Sequence, residues 1–407
     1  MILQRISSVL GAAVVVGGLS ISAVSPVMAQ GAKLGVLMPL TGALAQYGPS
    51  SLNGINPALK QINDQGGVLG GKIELVVADS QTNPQAAVNA AKQLSSTNKL
   101  SGFVGPLASG ETIPVVQSVA AVEGIPLITG SATAPGITTL ADNDFAFRTT
   151  AHDAVQGVVL SDLVKKRGVK KISIMYRNDD YCKGLSESFS KRFKETGGEV
   201  TSNVGFEEKQ ASYRGELQRA SQGGPEALLL IAFPGEGTPL LKQAIEEGLF
   251  KKFVFTDGMK STEDIKAIGA ANLNGSYGTA PEAKASDSTR LFREAYQKEH
   301  GQLPPLPFID TLYDAAFILA LAIEKAGSSD PKKVRDAIRE VSNGPGEAIR
   351  PGEWAKAKQL IKDGKKIDYV GSAGSQDFDK AGDVPGSFGI WSIDNGEIKT
   401  IEVIEAS

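Results

Sequence analysis

Short apolar segments alternate with amphipathic segments along this chain of 407 residues, and the alternation restricts the possible folds more than any other feature. In the first half, apolar runs of strand length begin at Lys33, Ile73, Phe103 and Pro126, and segments with helical periodicity separate them. Strands separated by helices in this rhythm form βαβ units, in which the strands are parallel and helices cover the sheet. The sequence therefore predicts an α/β fold.

The same rhythm starts again after Thr150. Apolar runs of strand length begin at Lys171, Glu199, Ala227 and Phe253, again with helical segments between them. A chain of this length has room for two domains at roughly 100–200 residues each. We therefore expect two doubly wound parallel-sheet lobes with a cleft between them. Near the C-terminus, Asn395-Gly396 between two apolar runs predicts a β-hairpin.

The first 29 residues differ from the rest of the chain. Arg5 is their only charged residue, an apolar stretch covers residues 9–19, and the small residues Val27 and Ala29 end the segment. This pattern predicts a secretory signal peptide at residues 1–29, cleaved after Ala29. The apolar stretch is shorter than the roughly 20 residues that a membrane-spanning helix needs. No cysteine lies near the cleavage site, so we expect a protein that lies outside the cytoplasm and is not a lipoprotein.

Composition and motifs argue against several classes of protein. The 42 basic and 45 acidic residues give a net charge of −3, which lacks the basic excess of a nucleic-acid-binding protein. One cysteine and two histidines exclude an intrachain disulfide and a zinc site of four cysteines or of two cysteines and two histidines. There is no nucleophile elbow, Walker loop or dinucleotide-binding fingerprint. We therefore expect no enzyme, metal, cofactor or nucleic-acid partner, and interpret Cys182 as a partly buried residue without a role.

Two hydroxyl residues follow neighbouring predicted strands of the first half. Ligands of open α/β sheets bind at the carboxyl ends of the strands. Ser109 follows the third strand, where it is predicted to cap a helix whose first N–H groups favour an anion. Thr133 follows the fourth strand. Two hydroxyls beside a helix N-terminus suit a carboxylate, although Ser109 as a helix cap alone remains an alternative.

An acid occupies the corresponding place in the second half. Asp257 follows the strand 253–255, where it is either a turn residue before Gly258 or a carboxylate that faces the first lobe. Anion donors on one lobe and an acid on the other suit the zwitterion of an α-amino acid. Tyr47 and Tyr181 follow the first strand of each half and either line the cleft or cover the edge of a core.

Five segments together resemble one known family: residues 44–48, 62–68, 105–109, 128–135 and 147–150. The chain is similar to the type I periplasmic solute-binding proteins of ABC importers, in the leucine/isoleucine/valine-binding branch. The resemblance extends over residues 31–405. It implies a lobe of residues 30–149 with 281–380 and a lobe of residues 150–280 with 381–407, joined by a three-stranded hinge.

The resemblance also implies roles for particular residues. The family's ligand carboxylate is held by a Ser and a Thr, which match Ser109 and Thr133, and by backbone groups near Leu107 and Ser131. Its ammonium is held by an acid that matches Asp257. The aromatic residues of the pocket match Tyr47, Tyr181, Phe308 and Phe233. The family places an aromatic hydroxyl near the ammonium at the position of Phe233, and a phenylalanine lacks that hydroxyl.

The function implied by the resemblance is capture of a neutral or branched-chain-like amino acid and its delivery to an ABC permease by a monomeric receptor. Three alternatives remain open. The same fold binds other small carboxylates or amides, such as an aromatic acid or urea, or serves as a ligand-sensing subunit. An exported α/β enzyme is the third, and its chemistry would depend on His152 or His300.

Overall fold

The computed structural model describes residues 31–406, so the predicted signal peptide lies outside the described residues. The described chain contains two large β-sheets, each covered by helices, and one small sheet. Within residues 31–406, no helix combines the length and the apolar character needed to cross a membrane.

The first sheet is fully parallel and has five strands in the order β2-β1-β3-β4-β5. Its elements, in chain order, are β1 Ala32–Met38, α1 Gly48–Asp64, β2 Ile73–Asp79, α2 Pro84–Thr97, β3 Gly102–Val104, α3 Ser109–Val115, α4 Ala121–Glu123, β4 Leu127–Thr129 and β5 Ala146–Arg148. Val36 of β1 pairs with Val77 on one side and Val104 on the other. The predicted βαβ arrangement is therefore confirmed, and β5 adds a three-residue strand that is too short to give a sequence pattern.

The second unit repeats the arrangement. Its elements up to the next connection are α5 Asp153–Lys166, β6 Lys171–Arg177, α6 Asp180–Glu195, β7 Glu199–Phe206, α7 Arg214–Ala220, β8 Ala227–Ile231, α8 Pro234–Glu246, β9 Phe253–Phe255, α9 Thr262–Ile268, α10 Ala270–Leu273 and β10 Tyr277–Pro281. All five residues of β8 are buried, as the unbroken apolar run predicts for a central strand covered on both faces.

The chain then returns to the first unit. The elements there are α11 Asp287–His300, α12 Ile309–Ala326, α13 Pro331–Ser342, β11 Glu347–Ile349, α14 Trp354–Lys362, β12 Ile367–Gly371 and β13 Gly374–Ser375. Helix α12 packs against α1, α13 and the strands β3 and β4, and its residues Leu312 to Ile323 are all fully buried. The small sheet β11-β12-β13 is a feature that the sequence pattern does not predict.

The last two strands, β14 Gly386–Asp394 and β15 Glu397–Ala406, complete the second sheet in the order β15-β14-β10-β9-β8-β6-β7. They pair antiparallel, with Asp394 opposite Glu397, which confirms the predicted hairpin at Asn395-Gly396. β14 also pairs antiparallel with β10. The second sheet is therefore mixed rather than wholly parallel, because a tight hairpin can join only antiparallel strands.

Three connections run between the two units, at residues 149–152, 282–286 and 376–385. They leave the carboxyl ends of the parallel strands of both sheets facing a common space between the units, where loops from both contribute side chains.

Candidate functional site

A small cavity of about 30 Å³ lies between the two units, at the carboxyl ends of their parallel strands. It is lined by Leu44, Tyr47, Ser51, Leu107, Ala108, Ser109, Ser131, Tyr181, Phe233, Asp257, Gly258, Pro307 and Phe308. The structure thus brings together eight of the nine residues that the sequence singled out. The ninth, Thr133, is buried in the loop after β4 without forming part of the wall.

The hydroxyl of Ser109 forms part of the first-lobe side of the cavity. Its Oγ accepts the N–H of Ala134 at 3.1 Å, which joins the loop after β3 to the loop after β4. The prediction that Ser109 caps the helix is wrong, because α3 begins at Ser109 itself and its oxygen is bound to the other loop. Because that bond uses an oxygen lone pair, the hydroxyl proton remains available for a ligand acceptor.

The neighbouring loop is held by a second hydroxyl. Ser131 Oγ donates to the carbonyl oxygen of Leu107 at 2.8 Å, and both residues lie on the cavity wall. Thr133 is 1% exposed, and its hydroxyl makes no hydrogen bond of good geometry with any described residue. An unpaired buried hydroxyl is costly, so Thr133 retains bonding capacity that the described chain does not use.

Asp257 provides the acidic side of the cavity. It follows β9 and is 3% exposed. Its Oδ1 accepts hydrogen bonds from Gln156 Nε2 at 2.8 Å and from the Tyr181 hydroxyl at 3.0 Å. Burial raises the pKa of Asp257 to about 6, while these two donors act in the opposite direction. Asp257 is therefore a buried acid whose charge is supported by neutral donors rather than by a cation of its own.

Two aromatic rings form a flat wall next to this acid. The rings of Tyr181 and Phe233 stack with their centroids 5.6 Å apart and their planes 6° apart. The guanidinium of Arg177 lies over the Phe233 ring, 5.0 Å from its centroid, on the same stack. Tyr181 is positioned at the start of α6, whose first turn is capped by the Asp179 side chain. Such a wall suits an apolar ligand group.

Tyr47 and Phe308 enter the cavity from the first unit. The Tyr47 hydroxyl donates to the carbonyl oxygen of Gly258 at 3.1 Å, in the loop that carries Asp257. Phe308 has φ of +70°, a left-handed conformation that is rare for a bulky side chain. Its carbonyl oxygen accepts the Thr311 hydroxyl at 2.9 Å and the Leu312 N–H at 3.2 Å, and these bonds help to hold the strained residue at the start of α12.

Sequence reasoning missed two residues at this site, Asp153 and Gln156, one turn apart on α5. Gln156 is fully buried and donates to Asp257. Asp153 is also fully buried, and its backbone N–H donates to the Thr133 carbonyl oxygen at 2.8 Å. The sequence does show polar residues on the helix that follows the first connection between the units. It does not show which face of that helix points inward, so it could not indicate that these two residues reach the site.

The remaining reactive side chains lie elsewhere. Cys182 is fully buried rather than partly buried, because it lies on the inner face of α6 in the second-lobe core. His152 immediately precedes α5, His300 ends α11, and neither lines the cavity. Within residues 31–406, no group of three or more His, Cys, Asp or Glu residues is arranged to hold a metal ion.

Comparison with known proteins identifies the family. A family model described as periplasmic binding protein matches residues 31–363. The leucine-, isoleucine-, valine-, threonine- and alanine-binding protein of Pseudomonas aeruginosa is 30% identical over 338 residues, which cover 83% of this chain and 88% of the relative.

Two solved structures have the same fold over nearly their whole length. A leucine-binding protein from Thermotoga maritima is 26% identical with a TM-score of 0.78, over 92% of this chain and 99% of that one. A branched-chain amino acid transporter substrate-binding protein from Streptococcus pneumoniae, solved with isoleucine, is 25% identical with a TM-score of 0.77, over 92% and 100%. These comparisons confirm the resemblance seen in the sequence: the chain belongs to the periplasmic binding protein family, which comprises solute-binding proteins and not enzymes.

Proposed function

We propose that this chain is the extracytoplasmic substrate-binding component of an ABC importer and captures an amino acid between its two lobes. The observation that carries the proposal is the position of Ser109 and Asp257 on the wall of one cavity, with a hydroxyl donor from the first unit and an acid from the second. An α-amino acid requires an anion site and a cation site close together, and this pair supplies both.

We assign the ligand carboxylate to the hydroxyls of Ser109 and Thr133 and to backbone groups near Leu107 and Ser131. The ammonium is assigned to Asp257. Tyr47, Tyr181, Phe233 and Phe308 then surround the ligand side chain together with Leu44. These walls are apolar, which favours a neutral, branched-chain-like side chain over a charged one.

The proposed lobes are residues 30–149 with 281–380 and residues 150–280 with 381–407, and they close around the ligand as a hinge. Contacts across the cleft support a closed arrangement. The N–H of Gly235 donates to the Ala43 carbonyl oxygen at 3.3 Å, and Gln46 Nε2 donates to Asp264 Oδ2 at 3.3 Å. Both contacts lie beside the cavity residues Leu44 and Tyr47.

The remaining parts of the proposal concern location and partners. Residues 1–29 act as a signal peptide cleaved after Ala29, and the mature monomer works in the periplasm without a lipid anchor. Its loaded form docks on the permease subunits of the importer, and neither a cofactor nor a metal takes part.

A thermal-shift screen of refolded, ligand-free protein tests the ligand class. The panel contains the twenty amino acids, benzoate, 4-hydroxybenzoate and urea. A ligand present at about 100 times its dissociation constant adds about 2.7 kcal/mol to the free energy of unfolding. Stabilisation by neutral amino acids supports the proposal, whereas stabilisation only by an aromatic acid or urea would show that the site binds that class of ligand instead.

Deletion of the gene tests transport against sensing. Loss of amino acid uptake with intact chemotaxis supports a role in transport.

A further inference from the structure

We propose that Asp153 is a second carboxylate for the ligand ammonium, which would then lie between Asp153 and Asp257. This inference rests on the proposed function and makes it more specific, because it defines the ligand group as a primary ammonium rather than any small polar group.

The state of the Asp153 side chain is the first observation. Asp153 is fully buried, and neither of its carboxylate oxygens has a hydrogen-bond partner of good geometry in the described part of the chain. Buried carboxylates are ordinarily paired or hydrogen-bonded, because an uncompensated charge in the interior costs several kcal/mol. Apart from the Thr133 hydroxyl beside it, Asp153 therefore has acceptor capacity that no described residue satisfies.

The surroundings of Asp153 are those of the candidate ligand site. Its backbone N–H bonds to Thr133, the residue assigned to the ligand carboxylate, and the Thr133 hydroxyl lies beside its carboxyl group. One turn along α5, Gln156 donates to Asp257 Oδ1. The negative charge of Asp257 acts on Asp153, and the charges of both acids act on Tyr181, so that the three side chains form one electrostatic unit.

The two described cations that act on these acids are each engaged with other groups. Arg148 acts on Asp153 from a distance, but its guanidinium is bonded to Asp383, to the Ala134 carbonyl oxygen and to Thr138. Lys260, which acts on Asp257, is paired with Glu282 at 3.0 Å. Among residues 31–406, no ion pair includes Asp153 or Asp257. A cationic group supplied by the ligand would compensate the charge of both acids.

A primary ammonium carries three donor hydrogens and a full charge, so it can satisfy both carboxylates at once. Urea, a neutral amide or an aromatic acid brings no cation and would leave both acids uncompensated in a closed cleft. The competing interpretation is that Asp153 is a neutral, purely structural acid that shares a hydrogen bond with Thr133. Burial, together with the charge of Asp257, raises the pKa of Asp153, which is compatible with a neutral acid before the ammonium arrives.

The test compares Asp153→Asn with the wild-type protein and with Asp162→Asn. Asn has the shape of Asp and preserves a neutral hydrogen-bonding role, whereas it removes the charge. Asp162 lies on the same helix but is half exposed and paired with Arg192, so it controls for removing a negative charge from α5. Calorimetry gives the dissociation constants of L-leucine and of 4-methylpentanoate, its analogue without the amino group. If another amino acid stabilises the protein most in the screen, that amino acid and its des-amino carboxylate replace them.

We expect Asp153→Asn to weaken binding of the amino acid about 10- to 100-fold, the range for hydrogen bonds to charged groups. Binding of the des-amino carboxylate should change less than about twofold, and Asp162→Asn should change neither. An unchanged affinity of Asp153→Asn for the amino acid overturns the inference while leaving the proposed function intact. Equal losses for both ligands also overturn it, because they indicate a structural role. Failure of the wild-type protein to bind any amino acid overturns the proposed function itself. If Asp153→Asn does not fold, Asp153→Ser provides the same comparison.

Discussion

The hydroxyl of Tyr47 donates a hydrogen bond to the carbonyl oxygen of Gly258, 211 positions further along the chain. Tyr47 immediately precedes helix α1 of the first unit, and Gly258 follows Asp257 in the second. One hydrogen bond of 3.1 Å therefore joins the loop of the proposed side-chain pocket to the loop of the proposed ammonium site. In the proposed hinge closure, this bond forms as the two loops meet around the ligand.

Removal of this hydroxyl should weaken the closed, ligand-bound form. We expect Tyr47→Phe to reduce the binding free energy of the amino acid by about 0.5–1.5 kcal/mol, the net value of a neutral hydrogen bond, since the ring remains. Tyr277→Phe is the matched control, because the Tyr277 hydroxyl is buried without a partner among the described residues and lies outside the cavity. Calorimetry that shows equal affinity for wild type and Tyr47→Phe would mean that this bond does not contribute to closure.

The hydroxyls of the proposed carboxylate site are tested by Ser109→Ala and Thr133→Ala. Each change should weaken binding by about 1.5–3 kcal/mol, since each removes a hydrogen bond to a charged group. The double variant should deviate from the sum of the two losses, because neighbours on one carboxylate are energetically coupled. Ser161→Ala is the control. It removes a buried hydroxyl on α5 that has no partner among the described residues and lies outside the cavity, so the affinity should remain unchanged. Unaltered affinity in both single variants would place the carboxylate elsewhere.

The charge of Asp257 should decide between an amino acid and its des-amino analogue. Loss of one partner from a buried ion pair costs about 2–5 kcal/mol, so Asp257→Asn should weaken the amino acid by at least about 30-fold. The same variant should spare or improve binding of the des-amino carboxylate, which no longer meets a buried negative charge. Titration of both ligands against both proteins provides the measurement. Equal binding of the two ligands by the wild type, unchanged in Asp257→Asn, would contradict the amino acid assignment.

The affinity for the amino acid should also depend on pH. Burial raises the pKa of Asp257 to about 6, so the ligand-free protein takes up a proton as the pH falls through that value. Ammonium binding requires the carboxylate, and the affinity should therefore fall about tenfold between pH 7 and pH 5. Calorimetry across this range measures the change, and Asp257→Asn should flatten the profile. A profile that is identical in wild type and variant would exclude Asp257 as the titrating group.

The same pKa shift predicts the opposite trend for the unliganded fold. A carboxyl group whose pKa is higher in the folded state stabilises the protein below its unfolded value of 3.8, and this contribution is lost as the pH rises through about 6. Asp257→Asn should therefore gain stability relative to the wild type between pH 4 and pH 7. Denaturant titrations at several pH values, without ligand, test the sign of this difference.

The sequence predicts the layered α/β units, because hydrophobic periodicity encodes which faces of each element are buried. It also predicted that Ser109 and Asp257 lie near each other, as they do on the wall of one cavity, since loops at the carboxyl ends of parallel strands converge. The hairpin at Asn395-Gly396 followed from local turn chemistry. Each of these features depends on residues that are close together in the chain or on the general geometry of parallel sheets.

Other features of the molecule depend on contacts between distant segments and are visible only in the folded chain. Ser109 is bound to Ala134 rather than to its own helix, because packing of two neighbouring loops outcompetes local capping. Asp153 and Gln156 look like ordinary polar residues on α5, and only the packing of that helix against β10 buries both and brings Gln156 into hydrogen-bond contact with Asp257. The second sheet became mixed because β14 returns to pair with β10 after the chain has passed through the first unit. Such long-range pairings depend on how complete elements pack, which no local pattern in the sequence specifies.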